Sequence, residues 1–328
     1  MNTTTNKVSL LEEMRNSLRR EGYAFSTEKS YCDWVRRFVK FCGFLDREAM
    51  LLEPELQVEK FLTHLAIEQN VAPSTQNQAL NALVYCYSKI LKSPFTDVKA
   101  SRSRKEPRIP VVLTQDEVKQ VLSVMDGTAG LVSKLLYSAG LRITEAVRLR
   151  VQDIDFGFNQ ITVRDGKGKK DRVTPLAHNL IPFIENQLQL VKTLHQQDLA
   201  KGYGSVYLPY ALAKKYPRAD KELNWQYVFP SRNLAIDPRS DIMRRHHIDQ
   251  SVVNKAIKRA VKQCGIVKKV SAHTFRHSFA THLLQRGTDI RTIQRLLGHA
   301  DLQTTMIYTH VLQQGADGVK SPFDDLNI

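Results

Sequence analysis

Apolar residues recur at helical spacing through the first 95 positions of the chain. Leu10, Leu11, Met14 and Leu18 share one face, and Gly22 follows as a stop. Ser26 or Thr27 can cap a second helix with Tyr31, Trp34, Val35, Phe38 and Val39 on its apolar side. Val58, Phe61, Leu62 and Leu65 predict a third helix. Pro73 and Ser74 precede a fourth, with Leu80, Leu83, Val84 and Tyr87 inward. The pattern predicts a small helical bundle over residues 1–96 in which the aromatic side chains are core.

Periodicity lapses over residues 97–110, DVKASRSRKEPRIP, which read as an exposed linker. It resumes at Thr114, where T-Q-D-E is a capping-box pattern ahead of Val118, Val121 and Leu122. Leu131 to Tyr137 continue as helix up to Ala139-Gly140. Residues 160–164 and 172–176 alternate as strands around the glycine- and lysine-rich loop 165–171. Further helices are expected over 180–194, 252–263, 275–286 and 290–297. Residues 199–225, rich in tyrosine and alanine, interrupt this second domain, which runs from 111 to 328. The chain is therefore mainly α with a small antiparallel β-sheet.

Charge narrows the partner. The 48 Lys+Arg exceed the 33 Asp+Glu by 15. Residues 1–98 are neutral, with 12 basic against 12 acidic side chains. The linker carries Lys99, Arg102, Arg104, Lys105 and Arg108 against Glu106, and residues 111–328 carry the remaining excess. A polyanion fits, and nucleic acid fits better than a membrane surface because no basic amphipathic anchor appears. No apolar run approaches the roughly 18 residues of a spanning helix, and Met1 to Val8 lack a signal-peptide core. Four scattered cysteines, without a C-x-x-C pair, read as thiols of a reducing cytoplasm. A bundle, a cationic tether and a basic domain suggest a clamp that closes around a duplex.

Four separate stretches carry candidate chemistry. Arg142 stands on a turn with Glu145 three residues on, and Lys167 lies in the Gly-Lys loop. His273-Thr274-Phe275-Arg276 opens a helix, and Leu297-Gly298-His299 precedes Tyr308 by nine residues. Singly, each has an ordinary structural explanation. Together they supply what phosphodiester exchange without a metal or other cofactor requires. Two guanidiniums can neutralise phosphate oxygens, and a hydroxyl can form a covalent phosphoester. A tyrosine with a free pKa of about 10 needs a base or a cationic field. His273 is a candidate base, and Lys167 can protonate the departing 5′ oxygen.

The order Arg142, Lys167, His273-x-x-Arg276, His299, Tyr308 resembles the tyrosine recombinase (phage integrase) family along nearly the whole chain. The resemblance implies a two-domain DNA clamp, a helical core-binding (SAM-like) bundle plus a mixed α/β catalytic domain. It also implies a 3′-phosphotyrosine intermediate and four protomers around two DNA sites, with Glu145 supporting Arg142. The segments Ala211 to Pro217, Trp225 to Ser231 and His246-His247-Ile248, with Gly318 to Pro322 in the tail 311–328, are similar to integron integrases. That subfamily captures and excises gene cassettes by recombining a primary duplex (attI-type) site with folded single-stranded attC sites. Trp225, Tyr216, Pro238, His246 and His247 are suited to the extrahelical bases of such a hairpin.

Two other readings remain. His273 and His277, four apart on a helix with His282 and His299 elsewhere, could suggest zinc, but the glutamate of H-E-x-x-H is missing and Arg276 stands between them. A DNA-binding regulator without chemistry would explain the charge but leave Lys167 and Tyr308 without a role. Within the same chemistry, a chromosome-dimer resolvase, a phage integrase or a type IB topoisomerase relative would be distinguished by its DNA substrate.

Overall fold

The computed structural model describes residues 9–95, 110–164, 171–209 and 212–314, apart from the side chains of 310–314. The chain divides into two compact units, Met1–Pro107 and Arg108–Ile328. The linker cations Lys99, Arg102, Arg104, Lys105 and Arg108, the loop residue Lys167 and the tail beyond 314 lie outside the described residues.

The first unit is built from α1 (Leu10–Arg20), α2 (Phe25–Cys42), α3 (Arg47–Met50), α4 (Pro54–Ile67) and α5 (Pro73–Tyr85), which runs into a π turn at Cys86–Ile90. Their shared core holds Met14, Leu18, Val35, Phe38, Phe61, Leu62, Leu83 and Tyr87. Ser26 and Thr27 do not cap α2. Ala24 does, its carbonyl taking the N–H groups of Thr27 and Glu28. Starting at Phe25 lets Glu28 accept both arms of Arg19 on α1, at 3.1 and 2.9 Å. Likewise Pro73 occupies the first turn of α5 behind Ala72, because its fixed φ suits that position and it has no N–H to lose. Val84 points outward, unlike its neighbours Leu80 and Leu83. The one-turn α3, capped by Asp46, is too short to show a period.

In the second unit Thr114 and Glu117 close the expected capping box at the start of α6 (Gln115–Ser123). Then come α7 (Gly127–Ser138), α8 (Ile143–Val147) and three strands, β1 (Ile154–Asp155), β2 (Gln160–Val163) and β3 (Arg172–Pro175). The sheet is antiparallel in the order β1-β2-β3, with Ile161 opposite Ile154 and Thr174, and Val163 opposite Arg172. After α9 (Ile181–Ala200) the interrupting segment forms α10 (Leu212–Lys215) and gathers its own small core of Val206, Leu208, Ala219 and Tyr227. A hairpin of β4 (Ala235–Ile236) and β5 (Met243–Arg244) leaves Ile236, Ile242 and Met243 exposed. The chain ends in α11 (Gln250–Gln263), α12 (Ala272–Gln285), α13 (Ile290–Leu297) and α14 (Gln303–Gln314).

Helix α12 passes through the centre of this unit. Phe275 joins the main core with Leu135, Leu141, Ile161, Phe229 and Ile257, while Phe279 joins Ile293, Leu297 and Tyr308. A helix buried on nearly all sides carries its polar residues inside the protein, and each needs a partner there. Ser278, with no exposure, accepts the N–H of Leu113 at 3.0 Å and donates to the carbonyl of Thr274 at 2.9 Å. All four cysteines are free thiols, and burial pushes Cys86 up to about 12. No described helix is long and apolar enough to cross a membrane.

Candidate active site

Glycine 140 decides where Arg142 goes. Its φ of +62° belongs to the left-handed region, and a Cβ there would stand 2.5 Å from the Phe279 ring. The turn it makes buries Leu141 and sets Arg142 at the N-cap of α8. Glu145, one turn on, accepts the backbone N–H of Arg142 at 2.7 Å and its Nη1 at 2.7 Å. The same carboxylate accepts Nη1 and Nη2 of Arg172, at 2.9 and 2.7 Å, and lies 3.9 Å from Nη1 of Arg276. Burial alone would raise the Glu145 carboxyl. The hydrogen bonds and charge of Arg172, joined by Arg142, bring it down to about 2. One anion thus serves three guanidiniums, and the cluster has two positive charges left over.

Arg276 is the most enclosed of the three at 4 % exposure, while the Arg142 side chain keeps 20 %. Its Nη1 donates to the carbonyl of Gly140 and its Nη2 to that of Leu297, with His299 Nε2 3.2 Å away. Burial and the neighbouring Arg142 push it down to about 9, which keeps it cationic at neutral pH. A buried cation seated mainly on neutral carbonyls is costly without an anion nearby. The arrangement therefore favours a negatively charged group beside Arg142 and Arg276.

His299 follows Gly298, whose φ of +62° ends α13 and whose carbonyl accepts Nη2 of Arg142 at 3.2 Å. Arg276 can only donate, so His299 Nε2 accepts and its Nδ1–H donates to Thr305 Oγ1 at 2.9 Å. Tyr308 lies on α14 with its side chain 1 % exposed and its ring nearly parallel to that of His299, centroids 6.5 Å apart. Burial raises the phenol, against the opposing pull of Arg276 and Arg142. Its hydroxyl lies 3.0 Å from Nδ1 of His277. His273 stands on the first turn of α12 toward solvent, and partial desolvation of its ring, with the Arg276 and Arg142 charges, lowers it below the usual histidine range.

The fold thus gathers Arg142, Glu145, Arg276, His299 and Tyr308, with His273 on the same helix as Arg276. Sequence reading missed three members of this group. Arg172 passed as a strand residue although it directly follows the Gly-Lys loop. His277 was weighed only as a zinc ligand although it adjoins Arg276. Thr305 had no signal at all.

The residues assigned to extrahelical bases are spread over the interrupting segment, the β4–β5 hairpin and the stretch after it. Tyr216 and Pro238 are exposed, whereas Trp225, His246 and His247 are half-buried. The Arg150 guanidinium lies 5.4 Å from the Trp225 ring and 4.7 Å from that of Tyr227, and donates to the Tyr207 carbonyl at 2.7 Å and to that of Trp225. Tyr227 meets His247 edge-on at 5.3 Å, and His247 Nδ1 is 2.8 Å from the Ile248 carbonyl. A buried arginine and aromatic rings thus form one stacked unit.

Comparison with known proteins gives one consistent result. The model of the phage integrase family matches residues 111–314, and that of the phage integrase N-terminal SAM-like domain matches residues 10–97. An integrase/recombinase of Escherichia coli is 46 % identical over 320 residues, covering 97 % of this chain and 94 % of that protein. The tyrosine recombinase XerA of Thermococcus kodakarensis is 33 % identical over 308 residues, covering 92 % and 90 %. The crystal structure of XerH recombinase bound to palindromic difH substrate in a post-cleavage complex aligns with a TM-score of 0.58 at 20 % identity, covering 93 % of this chain and 81 % of that one. The Tn1549 transposon integrase with transposon right end DNA aligns at 0.56 and 16 %, covering 96 % of each. These two likenesses are of fold.

Proposed function

Since the chain belongs to the phage integrase (tyrosine recombinase) family, whose enzymes cut and rejoin DNA at specific sites, we propose that it is a recombinase of the integron integrase type. The observation that carries the chemistry is the phenol of Tyr308 beside the guanidiniums of Arg142 and Arg276 and the ring of His299. The scissile phosphate sits against the two arginines, with His273 and His299 adding hydrogen bonds to its oxygens. Tyr308 attacks phosphorus, the bond to the 5′ oxygen breaks, and Lys167 protonates that oxygen. The product is a 3′-phosphotyrosine, which the 5′-hydroxyl of a partner strand then attacks. Metal and ATP play no part in these steps. Glu145 holds Arg142 and Arg172 in place.

The DNA is held by the helical unit, the linker cations and the catalytic unit closing as a clamp. Four protomers act together. The enzyme works in the bacterial cytoplasm, on the nucleoid, where its substrate is. The integron assignment rests on the segments around Tyr216, Trp225 and His246-His247. The stacked unit of Arg150, Trp225 and Tyr227 supports it as a platform for unpaired bases. Two experiments test the reading. Tyr308→Phe binds DNA but forms no covalent adduct on a nicked suicide substrate; an adduct with this variant removes the assignment. Strand exchange on a bottom-strand attC hairpin distinguishes the integron type from a recombinase confined to duplex sites, which would exchange only the latter.

A further inference from the structure

We propose that His277, rather than His273, takes the proton of Tyr308 during attack, an inference that rests on Tyr308 being the nucleophile. The 3.0 Å contact between the hydroxyl and Nδ1 of His277 is the starting point. A buried phenol that accepted from Nδ1–H would leave its own proton without a partner. The hydroxyl therefore donates, Nδ1 accepts, and the ring proton of neutral His277 is on Nε2.

The other two histidines are placed differently. His299 has Nε2 on Arg276 and Nδ1 on Thr305. His273 is exposed, and its ring centre lies 6.3 Å from that of His277. His277 follows Arg276 directly, so the helix that seats the phosphate-binding guanidinium also turns the next side chain to the phenol. Position thus couples anion binding to the nucleophile.

Charge strengthens the coupling. Burial first, then His273 and Arg276, push His277 down to about 4, so it is neutral and ready to accept a proton. Arg276 and His273 share its helix, and Tyr308 faces it from α14. In the absence of DNA, burial together with this cationic surrounding makes His277 a weak base, while burial, against the pull of Arg276 and Arg142, keeps Tyr308 a phenol. A phosphate docked on Arg142 and Arg276 offsets that field, and the base strengthens when substrate is present. During attack the Tyr308 oxygen bonds to phosphorus, its proton passes to Nδ1 of His277, and the 5′ oxygen leaves with the proton from Lys167. Rejoining reverses each transfer: the incoming 5′-hydroxyl returns its proton to Lys167, and His277 reprotonates Tyr308 as the phosphotyrosine bond breaks.

The test is single-turnover formation of the covalent adduct by the full-length protein on a nicked suicide duplex. It compares wild type, His277→Asn, His277→Leu and Tyr308→Phe, with a fluorinated, more acidic tyrosine placed at 308 in the first three. An asparagine oxygen can replace the Nδ1 acceptor but cannot take up the proton. Both His277 variants should bind DNA as wild type does and form adduct roughly 100-fold or more slowly, the range of a lost general base. The acidic phenol should recover more rate in His277→Asn than it adds to wild type. Equal adduct rates for wild type and His277→Asn, or the same gain from the acidic phenol in both, overturn the inference while leaving Tyr308 as nucleophile. Adduct formed by Tyr308→Phe overturns that assignment and this inference together.

Discussion

Arg172 grips both oxygens of Glu145, Nη1 to Oε1 at 2.9 Å and Nη2 to Oε2 at 2.7 Å, and adds an Nε bond to the Leu296 carbonyl at 2.8 Å. This fork ties β3 to α8 and to the end of α13. It also eases the crowding of like charges at the centre of the unit, because one anion is buried among the three guanidiniums.

Glu145→Gln removes that anion while keeping the shape. Three arginines then share a buried space with no carboxylate, and unfolding in urea at pH 7 should show a loss of about 3 kcal/mol. The carboxyl is depressed in the folded state, so its contribution is complete above the unfolded value near 4.3 and disappears as pH falls through about 2. The gap between wild type and variant should therefore narrow from about pH 4.5 downward. A gap that widens with acid would contradict the ion pairing.

Two glycines support the arginines unequally. Gly140→Ala puts a methyl group into the Phe279 ring at a positive φ, and should lower stability by about 2–4 kcal/mol and displace the carbonyl that holds Arg276. Gly298→Ala, also at a positive φ, brings its methyl 3.0 Å from the held Arg172 side chain rather than 2.5 Å from a ring, and its cost should be smaller, about 1–2 kcal/mol. Thermal melts of the two variants give the order directly, and an inverted order would refute it.

Arg276→Lys keeps the charge and loses the fork. A lysine cannot reach the Gly140 and Leu297 carbonyls and His299 in one plane. Cleavage should slow roughly 100-fold, as when a preorganised donor is lost from a developing oxyanion. DNA affinity and its salt dependence should change little. Comparing adduct rates with filter binding separates the two effects.

Trp225→Ala should weaken binding to a folded single-stranded site about tenfold to a hundredfold, the worth of one stacked base, and leave duplex binding unchanged. The fold should survive, because Arg150 keeps its backbone acceptors at residues 207 and 225 and the Tyr227 ring. Equal losses on both substrates would show that the ring is only packing.

Much of this protein was written in short-range patterns. The helices of the first unit follow apolar residues three and four apart, and the Thr114–Glu117 box closes within four residues. Arg142, His273-x-x-Arg276, His299 and Tyr308 stand in stretches whose residue types, taken together and in this order, point to phosphodiester chemistry. Local cues misplaced the start of α2: it begins at Phe25 behind Ala24 rather than after Ser26 or Thr27, and Glu28 in its first turn pairs with Arg19 of α1.

The site's inner connections were not legible in this way. Glu145 meets an arginine 27 residues away, Tyr308 meets a histidine 31 residues away, and Gly140 must be small because of Phe279. Spacing along a chain reports which side of a helix is buried, since that depends on a fixed rotation per residue. It carries no information on which buried atoms meet across elements, because those pairings depend on how α8, β3, α12, α13 and α14 pack. Residue order thus put forward the candidate reacting groups, and packing selected the partners that surround them.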